Sequence, residues 1–247
     1  MPAHDIIAEC IERARANPRR VVFPEGEDER IVAAARTLLD RAIARPIVLG
    51  KAEVIAAAAA RAGVRCEGID CRDPEGGERL GEYARLYAER RDQPNPKLAQ
   101  RAVRRPLLHA GMMVTSGDAD AMIAGAAHAT GRVIEAGLLT VGLVPGIRTP
   151  SSFFLMLVPR RNGAERAFVF ADCAVNVEPG AQGLADIAIA SAGGWPGAGC
   201  TSQLKTRCGC AASTWRRRRI SILGRSASGP PFARSKETAF PRRSSGA

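Results

Sequence analysis

Apolar residues recur along this chain in two alternating rhythms, short continuous runs and longer stretches with a period near 3.6 residues. Asp5 to Ala16 has the helical rhythm, with Ile6, Ile7, Cys10, Ile11 and Ala14 on one face. Arg20 to Pro24 reads as a short strand closed by proline. The acidic turn Glu25-Gly26-Glu27-Asp28 then opens a helix carrying Ile31, Ala34, Ala35, Leu38, Leu39 and Ala42. A strand over Pro46 to Leu49, a helix over Ala52 to Ala62 and a short strand over Glu67 to Asp70 follow. Glu78 to Arg91 is predicted helical with Leu80, Tyr83, Ala84 and Tyr87 inward, and Leu98 to Val114 helical with a break near Pro106. Ala121 to Ala124 is a strand and Val133 to Leu139 a helix. Ser151 to Val158 and Ala167 to Ala171 are strand-like runs, and Ala181 to Ala192 is a helix with Leu184, Ile187, Ala188 and Ser191 on one side. Strands alternating with helices at this spacing predict an α/β fold, a doubly wound parallel sheet in three αβα layers. Such sheets bind ligands at the carboxyl ends of their strands. The polar turns Glu25–Arg30, Gly125–Arg132 and Asp172–Asn176 fall at such ends, and Ser151-Ser152 at a strand start.

The stretch Ser116 to Arg132, SGDADAMIAGAAHATGR, concentrates the candidate chemistry. Its apolar run stops at Gly125, and a small-residue turn leads into the next helix. A strand emptying into such a turn offers free backbone N–H groups to an anion, and His128, Thr130 and Arg132 add polar groups there. That pattern fits a phosphate-bearing ligand; an ordinary strand-to-helix connection has the same composition. Arg30 is open to two readings as well, a solvated surface residue or an anion ligand. Glu89-Arg90-Arg91-Asp92 reads as the charged end of a helix.

Charge changes the picture only at the carboxyl end. The formal charge is +11, but residues 193–247 hold eleven Lys and Arg against one acid, a net of +10. The preceding 192 residues hold 25 basic and 24 acidic residues, a net of +1. The last 55 residues keep no sustained period, contain both tryptophans and include the run Arg216–Arg219. Three readings fit them: a nucleic-acid-binding tail, a disordered extension, or the product of a reading-frame shift in a GC-rich gene, which is favoured because the alternation of strands and helices stops in mid-sheet. The seven cysteines form no CxxC pair and have no histidine at metal-ligand spacing, so reduced thiols and no metal are expected. No secretory signal is recognisable and no apolar run approaches membrane-spanning length, so a cytoplasmic protein without a membrane partner is expected.

Four segments, VVFPEGEDERIVAAA (21–35), GDADAMIAGAAHAT (117–130), TPSSFFLMLVP (149–159) and FVFADCAVNVEPGAQGLADIAIASA (168–192), resemble the phosphate acetyltransferase family, in order and spacing. The resemblance covers roughly residues 5–192 and implies a two-domain isocitrate dehydrogenase-like fold. Residues 1–147 would be the first domain, 148–192 the start of an incomplete second one, and 193–247 a basic tail. It implies acetyl transfer between coenzyme A and phosphate, with coenzyme A and acetyl phosphate as substrates, no bound cofactor and no covalent enzyme intermediate. It also implies small-molecule substrates and, for the complete protein, a homodimer; a nucleic-acid partner is not expected. Carried over by position, it implies ligand-binding roles for Arg30, Arg90, Gly125, His128, Thr130, Ser151, Ser152 and Asp172, with Arg132 nearby. A second arginine linked to coenzyme A falls on Glu135 here, and the family's late Ser-Arg and Asp motif has no counterpart, so no catalytic residue is assigned. Butyryl transfer and a non-catalytic fragment are the alternatives.

Overall fold

The computed structural model of the chain describes residues 6–91, 95–159, 165–173 and 175–193. The first strands and helices alternate as expected: α1 (Ile6–Ala16), β1 (Arg19–Phe23), α2 (Glu29–Asp40), β2 (Ala44–Leu49), α3 (Ala52–Ala62) and β3 (Asp70–Arg72). Three helices follow, α4 (Leu80–Arg91), α5 (Pro96–Val103) and α6 (Pro106–Ser116), then β4 (Ala121–Met122) and α7 (Thr130–Thr140). Pro96 and Pro106 each stand in the first turn of a helix, where a missing N–H costs nothing.

The strands β3-β2-β1-β4 form one parallel sheet in that order. Alternation along the strands divides the core. Val22, Ile47 and Leu49 pack with Leu80, Tyr83, Tyr87, Val103, Met112 and Met113 from the α4–α6 side. Their neighbours Phe23 and Val48 pack with Ile31, Val32, Ala35, Ile55 and Ala58 from α2 and α3. A period of two on a strand necessarily feeds two opposite layers. The three-layer expectation is met here. The face expected for α1 is not buried: Ile7 is 58% exposed.

The close approach of α6 and α7 depends on Gly111. A Cβ there would collide with Oγ1 of the buried Thr140 and lie 2.8 Å from its Cβ. Gly111→Ala improves helix propensity by about 1 kcal/mol, but overpacking costs about 1–3 kcal/mol, so a net loss of stability is expected. Adding Thr140→Ala should recover part of it, which denaturant unfolding of the single and double variants checks. Equal stability of Gly111→Ala and the parent would show that the two helices simply slide apart.

The last described elements are β5 (Phe153–Pro159), β6 (Glu165–Ala171) and α8 (Ala181–Gly193). Here the expectation of parallel pairing fails. β5 and β6 are antiparallel, in register from Phe153↔Ala171 to Pro159↔Glu165. Only residues 160–164 separate them, and a parallel pair needs a crossover of a dozen residues or more. Strand β3 also lies later than expected, and β4 is shorter, two residues rather than Ala121 to Ala124. On α8 the buried residues are Asp186, Ile187 and Ser191, whereas Leu184 is 56% exposed. The basic stretch 194–247, with its competing readings, lies outside the described residues. No described helix is long and apolar enough to cross a membrane. Among the described residues Cys10, Cys66, Cys71 and Cys173 form no disulfide.

Candidate ligand site at the strand-order switch

In the order β3-β2-β1-β4 the chain first builds outward from β1 on one side, then returns to place β4 on the other. The switch point therefore lies between β1 and β4, where open α/β sheets form their ligand crevice beyond the strand ends. Two turns meet there, Pro24–Asp28 after β1 and Ile123–Ala129 after β4.

Glu25 joins them. Its side chain is fully buried. Oε2 accepts from the N–H groups of Gly125 and Ala126, both at 2.9 Å. Oε1 accepts from the N–H groups of Ala127 at 3.0 Å and His128 at 2.8 Å, and lies 2.8 Å from His128 Nδ1. The expectation of free N–H groups in this turn is thus corrected. The turn is an anion cradle, but the anion in it is the chain's own carboxylate. Burial pushes the Glu25 carboxyl up; the hydrogen bonds from His128 and from Ala126, Ala127 and Gly125 outweigh it and hold it below its ordinary value.

Arg30 makes a second tie between the turns. Asp28 caps α2, accepting from the Arg30 N–H at 2.9 Å, and also takes the Arg30 guanidinium at 2.6 Å. That guanidinium holds the half-buried Asp28 carboxyl at about 2. Arg30 Nη2 also donates to the Ala126 carbonyl at 2.7 Å. Arg30 stays largely exposed while engaged at both turns. It braces the turn against α2.

Among the described residues, further open polar groups at the switch point lie at the start of α7. The helix begins one residue after Ala129, which supplies no side-chain cap. Thr130 and Gly131 donate no backbone hydrogen bond among the described residues. The exposed Arg132 has no ion pair among the described residues. Free N–H groups, a helix amino terminus and an unpaired guanidinium together favour an anionic group at this position.

The other sequence-derived residues lie elsewhere. Arg90, in the last turn of α4, donates to the carbonyls of Thr140 and Val141 (3.3 Å to the latter), at the far end of α7. Eleven residues of helix put that end roughly 15 Å from Thr130. The guanidinium neutralises the carbonyl end of α7. Ser151, Ser152 and Asp172 form a separate knot at the base of the β5–β6 hairpin. Asp172 accepts from Ser152 Oγ and N, from Val175 N at 3.3 Å, and from Asn176 N and Nδ2 at 2.7 and 2.6 Å. Ser152 Oγ accepts from Cys173 N at 3.1 Å, and Ser151 Oγ donates to the Ser152 carbonyl at 3.4 Å.

Sequence reasoning placed Glu25 in a polar turn without a role of its own and passed over Asp186. Asp186 is 2% exposed and accepts from the backbone N–H groups of Arg148 and Thr149 at 3.0 and 3.2 Å, tying that segment to α8. A carboxylate inside an otherwise apolar helix was the available signal. A cavity of about 260 Å³ opens at the opposite end of the sheet, lined by Arg20, Arg45, Asp70, Arg72 and Asp118 among others. It lies at the amino ends of β1 and β2, away from the turns described above.

A family profile described as phosphate acetyl/butaryl transferase matches residues 5–199. A phosphate acetyltransferase from Treponema pallidum (strain Nichols) is 39% identical over 185 residues, 73% of this chain and 55% of the relative. One from Thermoanaerobacterium thermosaccharolyticum is 37% identical over 195 residues, 76% of this chain and 57% of its own length. A solved phosphotransacetylase from Streptococcus pyogenes superposes with a TM-score of 0.70 at 30% identity, covering 78% of this chain and 58% of that one. The chain thus spans a little over half the length of these relatives. The chain belongs to the phosphate acetyl/butaryl transferase family.

Proposed function

We propose that the β1–β4 switch point binds the phosphate-bearing substrate of an acetyl transfer between coenzyme A and phosphate. The observation that carries this reading is the uncapped start of α7, where the open N–H groups of Thr130 and Gly131 adjoin the unpaired Arg132, in a chain whose relatives are phosphate acetyltransferases. A planar guanidinium matches two phosphate oxygens at once. In the forward step the thiol of coenzyme A loses its proton, and its sulfur attacks the carbonyl carbon of acetyl phosphate. The bond between that carbon and the bridging oxygen then breaks, and phosphate leaves, taking up the thiol proton. A cation held on the leaving oxygen lowers that barrier. Arg30 and Glu25 shape the turn, and the Ser152–Asp172 knot stands as a second ligand contact of the reading.

The test is calorimetric titration of the chain with inorganic phosphate and with coenzyme A, beside an assay of thioester formation from acetyl phosphate and from butyryl phosphate. Phosphate binding is expected, weakened roughly tenfold by Arg132→Ala through loss of a charge-assisted contact. Turnover is expected to be low, since Glu135 stands where the resemblance implies a second arginine linked to coenzyme A. Phosphate affinity unaltered by Arg132→Ala would move the site away from the start of α7.

A further inference from the structure

We infer that Glu25 is a positioning residue for His128: it fixes the imidazole in the Nδ1–H form, so that Nε2 is the hydrogen-bond acceptor of the site and takes a proton-bearing ligand atom. The inference rests on reading the β1–β4 switch point as the ligand site. Glu25 Oε1 lies 2.8 Å from His128 Nδ1 while accepting two backbone N–H groups, and Oε2 accepts two more. A carboxylate that receives four N–H donors has only lone pairs to offer. The ring nitrogen facing it must therefore carry the hydrogen. The hydrogen bond made by one imidazole nitrogen sets the state of the other, so Nε2 of the neutral ring keeps its lone pair. Among the described residues nothing else bonds to Nε2, and the His128 side chain is 26% exposed whereas Glu25 is sealed. The carboxylate also bonds the N–H of His128 itself, so ring and backbone are held by one group.

This arrangement has a chemical consequence. A bare phosphate oxygen gains nothing from a lone pair, whereas an O–H of hydrogen phosphate or the S–H of a thiol does. The ligand class is thus an acid carrying a transferable proton, and the two sources are separable by probe. In acetyl phosphate synthesis the proton of hydrogen phosphate leaves as its oxygen bonds to the acetyl carbon, and it ends on the sulfur of the departing thiolate. Nε2 is placed to hold it in between. In the reverse direction the thiol proton takes the opposite route.

The test is nitrogen NMR on protein labelled in histidine, at mildly alkaline pH. The chain has three histidines, and loss of one signal set in His128→Gln assigns the set in question. His109 is an internal control, because its Nδ1 faces the Val103 carbonyl at 3.2 Å, which also demands Nδ1–H. The wild-type His128 is expected in the Nδ1–H form, and Glu25→Gln should return it toward the Nε2–H form usual for a free imidazole, with His109 unmoved. The wild-type tautomer alone decides the first point, even if the variant folds poorly; an Nε2–H ring there overturns the inference. Ligand arms decide the second. A shift of Nε2 on adding inorganic phosphate assigns the O–H source, and a shift with coenzyme A but not with its disulfide assigns the S–H source. Turn amides that move with either ligand while Nε2 stays still would overturn the inference and leave the proposed function standing. No response of any signal to phosphate or coenzyme A would overturn the proposed function and the acceptor role together.

Discussion

Glu25→Ala is expected to cost the folded chain about 2–4 kcal/mol, and roughly 10 °C in Tm, because the backbone N–H groups of residues 125–128 lose their common acceptor. Water replaces part of it, since Gly125 and Ala127 are exposed; a fully sealed turn would suffer more. The effect has a pH signature. The folded carboxyl lies below its ordinary value of 4.5, so its contribution is complete above that value and is lost as pH falls through the lowered folded value. The stability gap between the parent and Glu25→Gln should therefore be widest near about pH 6 and shrink toward about pH 3. Urea unfolding at the two pH values measures it. A gap of the same size at both would show that packing, and not the ionised carboxylate, carries the contribution.

Gly26→Ala is expected to be about as damaging, near 3 kcal/mol at the top of the usual overpacking range. Its Cβ would press on the Leu49 carbonyl oxygen, 2.8 Å from Val48 Cγ1 and 3.0 Å from Ile55 Cγ1. The obstacle is main chain in a central strand, so no side chain can swing aside as Thr140 partly can for Gly111. The glycine N–H donates to that same carbonyl at 3.1 Å, which draws the turn onto β2 and sets Glu25 at the β4 turn. Gly76→Ala serves as the control, since a Cβ there meets nothing within 4 Å. Thermal unfolding of both variants gives the comparison. Equal melting points would mean that the turn has room to rise off β2, and the close packing argument would fail.

Much of the first sheet was legible because its two central strands, β1 and β2, carry runs buried on both faces, and its helices are buried on one. The runs at Val21–Phe23 and Ile47–Leu49 and the periodic Leu80, Tyr83, Ala84 and Tyr87 state those surroundings directly. The hairpin of β5 and β6 was misread for the opposite reason. Phe154, Met156 and Phe170 are apolar yet 60%, 46% and 50% exposed, so their side chains mimic a two-sided strand that the pairing does not provide. The length of the intervening segment, residues 160–164, was the better guide to direction.

The candidate site divides in the same way. The chain itself determined that small residues would turn after β4, that His128, Thr130 and Arg132 would stand at a helix start, and which family the motifs resemble, because these depend on neighbours a few residues apart. Only the tertiary structure decided what fills the turn. Glu25 reaches Gly125 across 100 positions of sequence, and a glutamate in an acidic turn carries no local mark of being buried. The same holds for Arg90, whose role at the end of α7 follows from the packing of α4 beside that helix. Periodicity reports how much of a residue is buried; which donor meets which acceptor is set by strand order, and strand order is a property of the assembled sheet.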